Sequence, residues 1–166
     1  MNRNYFLKTA ANGGLVMAAL PFLSFQKQEE AQLDKNVVME FVRVSHGQKD
    51  KVVPMLEEYP SLLNAAHDWK LGDFETGLGA ASHVGDKELA LYFLDKGAQA
   101  NIFTACLFGK MEIVRPMLTA FPNTLHAKGP HGFTLLHHAE KGGEEALEVK
   151  EYLVSLGAKE TIVSIY

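Results

Sequence analysis

Histidine offers this sequence its richest chemistry, and four of its seven copies, His126, His131, His137 and His138, lie within thirteen residues. Neutral imidazole is the commonest metal ligand and changes charge near neutral pH, so a metal- or small-ligand-responsive site in the His126 to His138 region is one expectation. Against it, the adjacent His137 and His138 point in different directions on a helix. No Cys-x-x-Cys, His-Glu-x-x-His or carboxylate set accompanies the four. The stronger expectation is therefore no metal and no cofactor. The single cysteine, Cys106, lies in the apolar run Ala105-Cys106-Leu107-Phe108 and reads as packed and inert. There is no Gly-x-Ser-x-Gly elbow, and Gly77-Leu78-Gly79 lacks the basic residue and preceding strand that a nucleotide loop needs. Acid pairs such as Glu57-Glu58 and Glu144-Glu145 read as solvated surface. A catalytic reading has no residues to stand on, and the chain is expected not to be an enzyme.

The elements that would position these groups begin after an atypical head. Residues 1–25 carry Arg3 and Lys8, no acid, and the apolar run Gly14-Leu15-Val16-Met17-Ala18-Ala19-Leu20-Pro21-Phe22-Leu23. A basic head followed by about ten apolar residues is the pattern of an export signal and is short for a bilayer span. The run Asn2-Arg3-Asn4-Tyr5-Phe6-Leu7-Lys8 resembles a twin-arginine head in which Asn4 takes the place of the second arginine. Export to the bacterial periplasm or beyond is the expectation, with general secretion as the other route. An uncleaved membrane tether over residues 5–25 is the alternative, and the only membrane contact foreseen. Residues 26–36 read as a polar linker. Of the 166 residues, 47% are hydrophobic and 22% charged, which suits one soluble domain. The net charge of −4, which becomes −6 without residues 1–25, gives no field with which to grip nucleic acid.

The rest of the chain repeats itself. Val53-Pro54-Met55-Leu56-Glu57-Glu58-Tyr59-Pro60-Ser61-Leu62-Leu63-Asn64-Ala65 is echoed sixty-two positions later by Arg115-Pro116-Met117-Leu118-Thr119-Ala120-Phe121-Pro122-Asn123-Thr124-Leu125-His126-Ala127. Tyr92-Phe93-Leu94-Asp95-Lys96-Gly97-Ala98 is answered sixty positions on by Tyr152-Leu153-Val154-Ser155-Leu156-Gly157-Ala158. A double period near 60 implies two alternating units of about 30 residues. Gly47, Gly85, Gly109 and Gly143 each follow a short apolar segment and precede an amphipathic one, so each unit reads as helix, tight turn, antiparallel helix. Pro54 and Pro116 fall inside second helices at matched positions, where a proline tilts the helix.

Gly132-Phe133-Thr134-Leu135-Leu136-His137-His138-Ala139 resembles the ankyrin signature Gly-x-Thr-Pro-Leu-His-x-Ala, with Leu135 in the proline's place. The second unit keeps Thr76, Leu78 and Ala81, places Gly77 and Gly79 at the proline and histidine, and ends in Gly97-Ala98-Gln99-Ala100-Asn101. The resemblance covers residues 37–159. It implies an all-α fold, an ankyrin-repeat solenoid of about four helix-turn-helix units over residues 37–160, followed by a C-terminal tail at 161–166. It also implies that His137 braces neighbouring loops through its imidazole. Only eleven residues separate Gly97 from Gly109, too few for a family hairpin, so a bare turn is expected there. By resemblance, the chain is a protein-interaction module that binds a protein or peptide through its concave face and hairpin tips, as a monomer. The candidate contact residues are Trp69, Lys70, Phe74, Glu75, His83, Leu107, Phe108, His131, Phe133 and Lys141. The rival expectations are the ligand-responsive regulator named above and an accessory protein that stabilises an exported enzyme.

Overall fold

The computed structural model describes residues 32–165, and the foreseen export segment and most of the foreseen linker lie outside them. The described chain is mainly helical, with two short strands. In order it runs α1 (Lys35–Val44), α2 (Lys49–Glu58), β1 (Ala66–Asp68), β2 (Phe74–Thr76), α3 (Gly77–Val84), α4 (Lys87–Asp95), α5 (Ile102–Leu107), α6 (Met111–Ala120), α7 (Leu135–Gly142) and α8 (Leu147–Ser155). Short 3-10 turns at Pro60–Asn64 and Pro122–His126 close the stretches after α2 and α6. The strands, absent from the expectation of helices alone, form an antiparallel hairpin that pairs His67 with Glu75.

The helix starts follow from their capping residues. Asp34, Thr76, Asp86, Asn101 and Thr134 each turn a side-chain oxygen back onto a backbone N–H of the first turn, satisfying a donor that the helix cannot. The reversals follow from glycine: Gly47, Gly85, Gly109 and Gly143 all have positive φ. Gly109 is the most constrained of the four, because a β-carbon there would lie 2.0 Å from the Glu145 carbonyl oxygen. Backbone approaches backbone at that point, and only a hydrogen fits.

The sequence echoes are echoes of backbone. Tyr59 (φ −128°, ψ 79°) and Phe121 (φ −132°, ψ 73°) end α2 and α6 in nearly the same conformation, each followed by a proline-led 3-10 turn. Pro54 and Pro116 sit inside their helices as foreseen. Between α4 and α5 the chain makes only the bare connection expected of it.

Helices pack in consecutive pairs, and the first helices of successive pairs also touch: α1 with α3, α3 with α5, and α5 with α7. The short α5 lets α3 reach α7 as well. Two apolar cores result, one around Phe41, Phe93, Leu62 and Leu78, the other around Ile102, Val114, Leu135 and Leu153. Phe41 and Phe93 meet edge to face, 5.9 Å between centroids, over Gly77. Residues 160–164 lie along the loop before α7, where Thr134 N–H donates to the Thr161 carbonyl and Val163 N–H to that of Gly132.

Candidate metal centre and interaction surfaces

Three pieces of local structure aim side chains at one point. The first is the end of α1, where His46 follows the helix and its Nδ1 lies 3.1 Å from the Val42 carbonyl oxygen and 3.2 Å from that of Arg43. Only a protonated Nδ1 suits two carbonyls, so the neutral ring keeps its lone pair on Nε2. The second is the β hairpin and the helix it feeds: Glu75 on β2 turns inward, and His83 lies one residue before the end of α3. The third is the turn before α7, where His131 is held in the left-handed region at φ +57°. Asp73 fixes that unfavourable backbone. Its Oδ1 accepts the His131 backbone N–H at 2.8 Å, and its Oδ2 accepts from Nδ1 at 2.9 Å. Here too the outward nitrogen carries the proton and Nε2 faces in.

At the centre lies Glu75, whose side chain is wholly buried. Its Oε2 accepts from Trp69 Nε1–H at 2.6 Å and lies 3.4 Å from His131 Nε2 and 3.6 Å from His46 Nε2. Its Oε1 lies 2.8 Å from His83 Nε2 and has no further partner among the described residues. His83 Nε2 is in turn 3.1 Å from His46 Nε2. One atom from each of His46, Glu75, His83 and His131 can be chosen so that all four lie within 4.8 Å of one another. Burial pushes the Glu75 carboxyl upward, but the His83 and Trp69 rings beside it and the nearby His46 outweigh this and hold it below the usual range.

Aromatic packing sets the ring of His83. Phe133 stacks on it at 4.9 Å and on His137 at 4.0 Å, and so lies between the two imidazoles. His137 Nε2–H donates to the His83 carbonyl at 2.8 Å, a brace between α7 and α3. His138 is buried, and its Nδ1–H donates to the Thr134 carbonyl at 2.8 Å. His126 lies in the 3-10 turn after α6 and is not part of the cluster. Of the four histidines singled out in sequence, only His131 joins the convergent group.

The candidate contact residues divide. Glu75, His83 and Leu107 are buried, so they offer a partner no surface in the folded chain. His131, Phe133 and Trp69 are half-buried and belong to the cluster or its support. Lys70, Phe74 and Lys141 are exposed. Leu71 (79% exposed) and Phe74 (62% exposed) make the hairpin end apolar. Phe108 is half-buried and lines a groove of about 750 Å³ between α4 and α6. Leu91, Leu94, Ile113 and Met117 give that groove apolar walls, and Lys87, Lys110 and Glu145 stand among its lining.

Sequence reasoning placed His46 and His83 on a partner groove just before the turn glycines and Glu75 at a hairpin tip, and did not join them with His131 as one group. A signal was present: a histidine stands just before the turn glycine in both of the first two units, as His46-Gly47 and His83-Val84-Gly85. No family model and no curated protein matches the sequence.

Proposed function

We propose that this chain is an ankyrin-type interaction module, exported from a bacterial cytoplasm, that binds an amphipathic segment of a protein partner. The observation that carries the reading is the α4/α6 groove. It exists because the four-residue link between Gly97 and Ile102 carries no hairpin, so the second helices of neighbouring pairs stand apart over α5. Leu91 and Ile113 on its walls are each about half exposed. An apolar trough with charged groups at its edge is the anatomy of a protein interface. Capped helix pairs, matched reversals and neighbour-to-neighbour burial support the repeat reading of the fold. The groove lies between second helices, so the concave face of first helices is the lesser surface in this proposal, with the Leu71/Phe74 hairpin end beside it. The absence of nucleophile and cofactor motifs from the sequence leaves binding as the role.

The reading is tested by capturing partners from a periplasmic fraction with the full chain and then measuring affinity for the captured protein. Leu91→Asp and Ile113→Asp replace half-exposed side chains and are expected to leave melting nearly unchanged while weakening the partner by tenfold or more, about 1.4 kcal/mol or above. Affinity that survives both substitutions removes the groove from the proposal.

A further inference from the structure

We propose that His46, His83, His131 and Glu75 form a binding site for one divalent transition-metal ion, zinc being the best fit, where the first two helix pairs meet the turn before α7. This site is independent of whether the α4/α6 groove takes a partner. The distances carry the argument. Zinc bonds of about 2.0–2.1 Å to imidazole nitrogen and carboxylate oxygen put neighbouring ligand atoms of a tetrahedron about 3.3 Å apart. Separations of 3.1, 3.4 and 3.6 Å among His83, His46, His131 and Glu75 atoms bracket that edge. All four ligand atoms lie within 4.8 Å of one another, so the wider pairs need only draw in modestly to complete a coordination shell.

Two of the three imidazoles also have the right tautomer, and His83 Nε2, 3.1 Å from His46 Nε2, would give up its proton on binding the ion. His46 and His131 spend their Nδ1 protons outward, on backbone carbonyls and on Asp73, so both Nε2 lone pairs face the centre. This outward hydrogen bond is what fixes the tautomer of metal-bound histidine, and the Asp73–His131 pair is its carboxylate form. The Glu75 carboxylate is an independent sign: it is fully buried, with His83 Nε2 2.8 Å from Oε1 and His131 and His46 Nε2 3.4 and 3.6 Å from Oε2. A buried carboxylate needs a compensating positive charge, and a cation bound among these imidazoles would supply it. Three imidazoles and a carboxylate select zinc and its late first-row neighbours over calcium or magnesium, which prefer oxygen shells. Four protein ligands close a tetrahedron, which is the pattern of an ion held for structure and not for turnover.

The test is calorimetric titration of zinc chloride into the full chain after chelator treatment. One site per chain is expected. His46→Ala and His131→Ala, both at half-buried positions, are each expected to weaken it at least tenfold, Asp73→Asn by about tenfold through the outer shell, and His126→Ala not at all. Should the alanine variants fail to fold, cobalt(II) added to the unaltered chain provides the reading: strong visible bands of a four-coordinate ion support the site, and the pale spectrum of a six-coordinate ion overturns it. Absence of zinc binding, or binding indifferent to His46→Ala and His131→Ala, or binding lost with His126→Ala, also overturns it.

Discussion

Burial gives His138 a different role from the histidines around it. Its ring packs 5.1 Å from Phe103 and its Nδ1–H is committed to the Thr134 carbonyl. Desolvation outweighs that hydrogen bond and lowers its pKa from 6.5 to about 4. The unfolded chain therefore takes up a proton near pH 6.5 that the folded chain refuses until about pH 4. Stability from this group is complete above the upper value and drains away as pH falls between the two, by about 3 kcal/mol in all. Urea unfolding in chelator between pH 7 and 4.5 is expected to show that slope, and His138→Gln is expected to flatten it; equal slopes in both chains would refute the assignment. Cys106 is a simpler case. Burial pushes its thiol up to about 12, so iodoacetamide is expected to label it only when the chain is unfolded. That inertness was legible in the apolar run around it, because a thiol with only hydrocarbon neighbours has nothing to stabilise its anion.

Reversals decide how the helices meet. Gly109→Ala would force a β-carbon against the Glu145 backbone at a positive φ of 62°, and neither side of that contact can give way as a flexible side chain would. A loss of about 3 kcal/mol is expected. Gly97→Ala has the same kind of backbone, φ +90°, but open space around it, and should cost only about 1 kcal/mol. Thermal melts of the two variants side by side check the difference, and equal losses would mean that strain, not the close approach, governs both. Elements of this kind were readable from sequence. A glycine after an apolar stretch and a proline pair sixty-two residues apart are local signals with local causes. The β hairpin was not readable, because three-residue strands leave too short an alternation of apolar and polar residues to stand out.

Across the whole molecule the legible and the illegible separate by sequence distance. His126 to His138 are neighbours along the chain, yet only His131 meets other ligands, and those come from residues 46, 75 and 83. Stacking places them together: α1 against α3, α3 against α7, and the hairpin over both pairs' ends. No spacing rule within one unit contains that information. An ion at this point would join three segments separated by up to eighty-five positions, so binding and folding are linked. Zinc at one hundred times its dissociation constant should add about 2.7 kcal/mol to stability, read as a higher melting temperature that chelator reverses. The most direct measurement is anomalous diffraction at the zinc edge from crystals of the full chain grown with the metal. One peak is expected, within about 2.0–2.2 Å of the Nε2 atoms of His46, His83 and His131 and of a Glu75 oxygen. Crystals with zinc at His126 or elsewhere on the surface, and none among those four side chains, would contradict the account.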